Sequence, residues 1–327
     1  KLKNSVLPLE QEAKQLASEK PVQGVSLSFA SKERLRYYEY FKNSINGIFE
    51  DDRETYYIPA GRSMITLLSG NRSMIENENL DLITRRFLQI IDSIHMFFAD
   101  GIRGVPQRYS DESHSFDPGE TAQMLIRYLK GDYRYTPGVE YFIVEQGEHK
   151  GETIPINFTS SGQQEVLWLL NQLYILMLKK ERAFVIIEEP EAHLYPSLQK
   201  EIVDFISFFV NINHSAVFVT THSPYILTAA NTLYFAGQVM EDQPGLQREI
   251  EAIIGRKREI HPGAFTAFKI NPNKEVENLV NQTLGELSTE LIDDISDEIN
   301  ENYLKIFDYA ARLQPRERKE TGDKNAE

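Results

Sequence analysis

Glu188 and Glu189 follow the unbroken apolar run Phe184-Val185-Ile186-Ile187, and Glu191 and His193 stand just beyond, between Pro190 and Pro196. An apolar run without alternation suits a central parallel strand buried on both faces. Ligands of open α/β sheets gather at the carboxyl ends of such strands. Two adjacent ionised carboxylates at that place need a cation or an open cleft, because burying either one unpaired is costly. In phosphate chemistry one such carboxylate holds a magnesium ion, directly or through its waters, while the next orients and polarises the attacking water. Two solvated residues in the loop after a strand would look the same, so the pair needs support from elsewhere in the chain.

Two other segments supply it. Upstream, residues 157–165 read NFTSSGQQE, with two hydroxyls and a glycine just before a helical pattern. Helix N-termini present unpaired N–H groups and the positive end of the dipole, so Ser160, Ser161 and Gly162 are candidates for holding an anion such as a terminal phosphate. Serine is also a common N-cap, and taken alone the stretch is a weak signal. Downstream, residues 215–227 read SAVFVTTHSPYIL, a second apolar strand that ends in Thr220, Thr221 and His222 before a Ser-Pro turn. A histidine there can hydrogen-bond a phosphate oxygen or the attacking water, although a lone histidine is more often a structural donor. Ser160 precedes Glu188 by 28 residues and Glu188 precedes His222 by 34, which leaves room for one helix between successive elements.

The elements that must position these residues follow from periodicity. TYYIPAGRS at 55–63 reads as a short strand broken by Pro59 and Gly61. LDLITRRFLQIIDSIHMFF places Leu82, Phe87, Ile90, Ile91, Ile94 and Phe98 on one helical face. From 139 onward come strand candidates VEYFIVEQG and TIPINF, the long helix GQQEVLWLLNQLYILMLKK, the run FVII, the helix PSLQKEIVDFISFFV and the strand SAVFVTT. That β-α-β-α-β rhythm predicts a parallel sheet flanked by helices. Residues 1–62 read as the remnant of an N-terminal lobe, with a strand at 24–29 and a helix after it. Residues 63–138 read as a helical insertion, 139–240 as the core, and 241–327 as a mainly helical C-terminal region that includes EVENLVNQTLGELSTELIDDISDEINENYLKIFDYAARL.

Composition limits what the chain can do. At 327 residues and 41% hydrophobic content it can bury one large core or two modest ones. A formal charge of −14 argues against coating nucleic acid or anionic lipid through the net field. The absence of cysteine excludes disulfides, thiolate catalysis and cysteine-ligated metals. No apolar run approaches the ~20 residues of a membrane span, and the opening KLKNSVLPLEQEAK lacks a secretion signal. A cytoplasmic protein without a membrane partner is expected.

The three segments together resemble the C-terminal half of ABC-type ATPases of the SMC and OLD-like group. TSSGQQ is similar to their signature motif, FVIIEEPEAHLYP to Walker B with its D-loop, and TTHSP to the switch-histidine motif. The EEPEAHLYP wording is similar to the stand-alone bacterial AAA-type ATPases that include OLD-family, Septu-type and retron-associated defence ATPases. The resemblance is strongest over 154–235, and YYIPAGRS also resembles an element these proteins carry before a helical insertion. It implies an α/β fold of the P-loop NTPase, ABC-ATPase type, with a parallel-sheet core, a helical insertion and a helical C-terminal tail. It implies ATP and Mg²⁺ as cofactors. Glu188 then takes the magnesium-associated position, where Asp is commoner, Glu189 the catalytic base and His222 the switch histidine. Ser160 and Gly162 would contact the γ-phosphate of nucleotide held by a second subunit, with Ser161 and Gln163 in the same nucleotide-contacting stretch. The implied partners are a second copy in a head-to-tail dimer or larger assembly and a separate effector, such as a nuclease, in anti-phage defence.

A phosphate cradle of the form G-x-x-x-x-G-K-[ST] is not found in the 327 residues. The chain opens on Lys1 rather than Met, and the expectation is that the cradle lies upstream in the natural protein; a degenerate half-site is the other account. Two rival functions stay open: a non-hydrolysing ATP-binding scaffold, and a DNA repair or recombination ATPase. The basic pieces GRKRE at 255–259 and RRF at 85–87 read as ordinary surface charge, or as contacts to DNA backbone in a dimer. The carboxylates of 291–303 recur around a helical pattern and read as a solvated face.

Overall fold

The computed structural model describes residues 51–69, 80–109, 113–271, 273–281 and 286–287. The expected elements between residues 1 and 50, and the acidic stretch 291–303, lie outside the described residues.

The site is carried by a three-stranded parallel sheet in the order β1-β5-β6, formed by β1 (Glu54–Ile58), β5 (Ala183–Glu188) and β6 (Ala216–Thr220). Register pairs Ile58 with Ile187, and Glu188 with Thr220, so the three carboxyl ends finish side by side. Helix α5 (Pro196–Asn213) connects β5 to β6, as the spacing predicts. The run Phe184–Ile187 is not buried equally on both faces. Ala183, Val185 and Ile187 are fully covered, while Phe184, Ile186 and Glu188 are half-buried. β6 pairs on one side only among the described residues, and Phe218 on it is exposed.

Helix α4 (Ser161–Leu178) is the centre of the core. Every residue from Gln164 to Leu178 is buried, so the helix is covered all round rather than on one stripe. Around it pack α1 (Arg62–Ser69), α2 (Leu82–His95), α3 (Pro118–Leu129) and α5. α2 buries Phe87, Ile91 and Ile94 on the predicted face, and the following turn buries Phe98. Asp81 caps α2 and Asp117 caps α3 through backbone N–H groups one turn on, with Pro118 at the first helical position.

Residues 131–155 depart from the predicted rhythm. β2 (Gly131–Thr136), β3 (Val139–Val144) and β4 (Thr153–Pro155) form a separate antiparallel sheet in that order and take no part in the parallel one. β2 and β3 are joined through a tight turn at Gly138, whose φ of 83° suits glycine. This sheet packs on α4 through rings: buried His95 stacks on Tyr135 at 4.3 Å and meets Trp168 edge-on at 5.1 Å.

Beyond β6, α6 (Pro224–Asp242) packs on α5 and on α7 (Gln247–Ile254) around Val203, Ile226, Leu233 and Ile254. The segment after α7 is clamped between α5 and α6. Arg258 pairs with Asp204 at 3.1 Å, Ser207 and Asn211 donate to the Glu259 carbonyl, and the Ile260 N–H donates to the Leu233 carbonyl at 3.0 Å. The basic stretch at 255–259 thus turns Arg258 inward rather than offering it to a ligand. Residues 276–281, expected to begin a long helix, instead form β8 (Val276–Asn278) and β9 (Val280–Asn281). β8 pairs antiparallel with β7 (Phe268–Ile270), through a turn in which Lys274 has a φ of 67°, and β9 pairs with β10 (Glu286–Leu287). Val276 and Val280, four residues apart, share a face in a pleated strand as well as in a helix, and pairing with β7 decides between the two.

Candidate active site

At the carboxyl end of the parallel sheet the chain gathers the loop after β1, the acidic turn after β5 and the Thr-His turn after β6. Glu188, the last residue of β5, is half-buried and leans toward β1. The Tyr57 hydroxyl and the Ala60 N–H, at 3.1 Å, both donate to its carboxylate. The bond to Glu188 is the main reason that the Tyr57 phenol is pushed up to about 12.

Glu189 leans the other way. Its φ is 41°, in the left-handed region that non-glycine residues seldom occupy. Its N–H donates to the Thr220 carbonyl at 2.9 Å, and the half-exposed carboxylate places Oε1 3.9 Å from Nε2 of His222. His222 is 90% exposed, so a ligand can reach both groups. Glu191 joins the two turns: one of its carboxylate oxygens accepts from the Thr221 hydroxyl and from the His222 N–H, both at 2.8 Å. Its other oxygen is buried without a hydrogen-bond partner. The turn is braced further along, where Gln199 donates to the Leu194 carbonyl and accepts from the Ser223 hydroxyl.

The N-terminus of α4 lies against the acidic turn at His193. Ser160 is the N-cap and Gln163 completes a capping box, with the Ser160 Oγ accepting from the Gln163 N–H and the Gln163 Oε1 accepting from the Ser160 N–H. Gln163 also donates to the Leu129 carbonyl at 2.7 Å, which ties the cap to the end of α3. Ser160 and Ser161 are exposed. Gly162 has a reason within its own chain: a Cβ there would lie 2.8 Å from the His193 carbonyl oxygen, so glycine lets the acidic turn settle on the helix end. The structure therefore brings Glu188, Glu189 and His222 to one edge and sets the Ser160–Gln163 tip against the neighbouring turn. The side chains of Ser160 and Gln163 bond each other and Leu129, not Glu189 or His222.

Sequence reasoning passed over Arg62 and Glu165. The Arg62 side chain is fully buried and forms an ion pair with equally buried Glu165 of α4, Nε to Oε2 at 3.4 Å. Its guanidinium donates to the carbonyls of Glu165, Pro59, Glu188 and Glu189, at 2.8, 2.8, 2.7 and 2.9 Å. Burial pushes its pKa down, and Glu165, Glu191, Glu189 and Glu188 oppose that shift. A single arginine after Pro-Ala-Gly has no periodic signature; the one signal available was a charged residue at the start of an apolar helix.

Among the described residues no three His, Asp or Glu side chains converge closely enough to hold a metal ion by themselves. The donor set still suits magnesium, which is commonly bound by one or two carboxylates and completed by phosphate oxygens and water. Glu188, at the strand end, would hold it, which leaves Glu189 free to act on water. No helix among the described residues is long and apolar enough to cross a membrane.

Comparison with known proteins agrees with this geometry. The lipoprotein-releasing system ATP-binding protein LolD of Neorickettsia sennetsu is 31% identical over 77 residues, which cover 24% of this chain and 32% of that protein. The match thus spans about a third of that relative's length. The AAA ATPase domain family matches residues 30–227, more than half of the 327-residue chain and inclusive of β1, α4, β5, β6 and all the residues of the strand-end cluster. With its parallel sheet, flanking helices and acidic strand end, the chain has the α/β architecture of a P-loop NTPase and belongs to the AAA ATPase domain family.

Proposed function

We propose that this protein is an ABC-type ATP hydrolase. It closes head-to-tail on a second copy around ATP and Mg²⁺ and gates a partner effector, such as a nuclease in anti-phage defence. The observation that carries the hydrolytic reading is the pairing of Glu189 with His222. The two groups sit 3.9 Å apart at the carboxyl end of the sheet, one half-exposed and the other nearly free in solvent. In this reading Glu189 orients and deprotonates the attacking water, and His222 donates to the terminal phosphate. Glu188, its carboxylate held by Tyr57 and Ala60, faces the magnesium shell. Bound magnesium neutralises charge that develops on the phosphates. The exposed tip of α4, with Ser160 and Ser161 at its N-terminus, is directed to nucleotide on the other copy. Closure excludes water from the carboxylates and strengthens every charge interaction between them and the phosphates. The effector and the defence role rest on the resemblance of EEPEAHLYP to defence ATPases.

Glu189→Gln in the full natural polypeptide tests the assignment. Turnover should fall by about 10²-fold or more, the span of a general base, while ATP still binds. Unchanged hydrolysis would remove Glu189 from the chemistry, and a wild-type protein that binds ATP without turning it over would favour a binding scaffold.

A further inference from the structure

The left-handed backbone at Glu189 is a strained conformation, and such conformations persist only where the surroundings over-determine them. Both sides of this residue are held. Its N–H is bonded to Thr220 of β6, and its carbonyl accepts from the Arg62 Nη2 at 2.9 Å. The other Nη of the same guanidinium reaches the preceding carbonyl, Glu188, at 2.7 Å, and also the Pro59 carbonyl. One planar fork thus grips two successive peptide units, which a lysine ammonium, with its donors on a single atom, cannot reproduce. Arg62 is itself anchored. The Glu165 carboxylate accepts from the backbone N–H groups of Arg62 and Ser63, each at 3.0 Å, and the Glu165 carbonyl accepts from Nε. With no exposure, Arg62 has no access to water or substrate. A buried cation spent on carbonyls is an expensive way to build a loop, and these carbonyls are the ones that set where the Glu189 side chain points.

We propose that Arg62 is a positioning residue for the hydrolysis: it locks the peptide that carries Glu189, so that the carboxylate faces His222 and the attacking water. The inference rests on the reading of Glu189 as the base. It concerns a residue that never touches the reactants and acts only through Glu189.

The experiment uses the full natural polypeptide as wild type, Arg62→Lys, Glu189→Gln and the double variant. Single-turnover hydrolysis, nucleotide affinity and amide hydrogen exchange over residues 184–194 are measured in parallel. Arg62→Lys should lower the rate about tenfold or more, with nucleotide affinity within about twofold of wild type. Exchange of the Glu189 amide should rise about tenfold while α5 and α6 exchange as before. The double variant should be no slower than Glu189→Gln alone, because one residue acts through the other. Full multiplication of the two rate losses, or wild-type rate and exchange in Arg62→Lys, overturns the proposal. Should the variant not fold, wild-type exchange decides: the Glu189 amide should be as protected as those of β5 and β6, and rapid exchange there overturns the lock. A wild-type protein without turnover refutes the ATPase reading itself, and the exchange data then judge the Arg62 lock on its own.

Discussion

Replacing Glu189 by glycine and by alanine separates the backbone of this residue from its carboxylate. Both variants remove the acid and should abolish turnover alike. They differ in what they ask of a φ of 41°. An L-residue pays about 1–2 kcal/mol for the left-handed region, and glycine pays none of it. Against this, glycine loses more conformational freedom on folding than alanine, by roughly 0.5–1 kcal/mol. Taken at the midpoints of these ranges, the difference leaves Glu189→Gly more stable than Glu189→Ala by roughly 0.75 kcal/mol. At an ordinary position the order is reversed, so the sign alone is informative. For a protein of this size the gap corresponds to about 1 °C in melting temperature. Paired thermal melts in one buffer, with midpoints from urea titration as a check, resolve it. Alanine equal to or better than glycine would mean that residue 189 is not held left-handed in solution and that its carboxylate is not locked.

Three further outcomes are expected. Ser160→Ala should weaken ATP-dependent pairing of two copies, measured by size-exclusion chromatography with light scattering, and pairing at wild-type nucleotide concentration would remove the trans role of the α4 tip. Tyr57→Phe removes a donor to Glu188 and should raise the magnesium concentration needed for half-maximal activity by about 10-fold or more, the usual effect of losing a partner of a metal ligand. The folded value of Tyr57, about 12, lies above its ordinary 10.0. Its stabilising contribution is therefore complete below pH 10 and is lost as pH rises through about 12; urea midpoints across that range should show a step that Tyr57→Phe lacks. Gly237→Ala should be destabilising by about 1–3 kcal/mol in a denaturant titration. Helix propensity alone predicts a gain of about 1 kcal/mol, but a Cβ at 237 would lie 2.1 Å from the Ile260 carbonyl oxygen, in a segment that α5 and α6 prevent from retreating.

The sequence by itself determined the parts that repeat over many residues or depend on local chain chemistry. Apolar runs ending in Glu188-Glu189 and in Thr220-Thr221-His222, with α5 between them, are legible because strand and helix periods differ and because strand ends collect polar groups in α/β sheets. The N-cap at Ser160 was legible for the same local reason, since a side-chain oxygen there satisfies orphan N–H groups one turn away. Only the tertiary structure decided which strands pair. VEYFIV and TIP carry the same local pattern whether they join the parallel sheet or a separate one, and the pairing of β3 with β2 and of β4 with β3 settled it. EVENLVN turned from an expected helix into strands for a similar reason, through its partner β7. The remaining site residues were hidden more deeply. Tyr57 and Arg62 reach Glu188 and Glu189 across more than a hundred residues, Glu165 holds Arg62 from a neighbouring helix, and Gly162 is small because of a carbonyl thirty-one residues later. Such contacts leave no periodic trace, because they are set by how whole elements pack and not by the order of residues within any one of them.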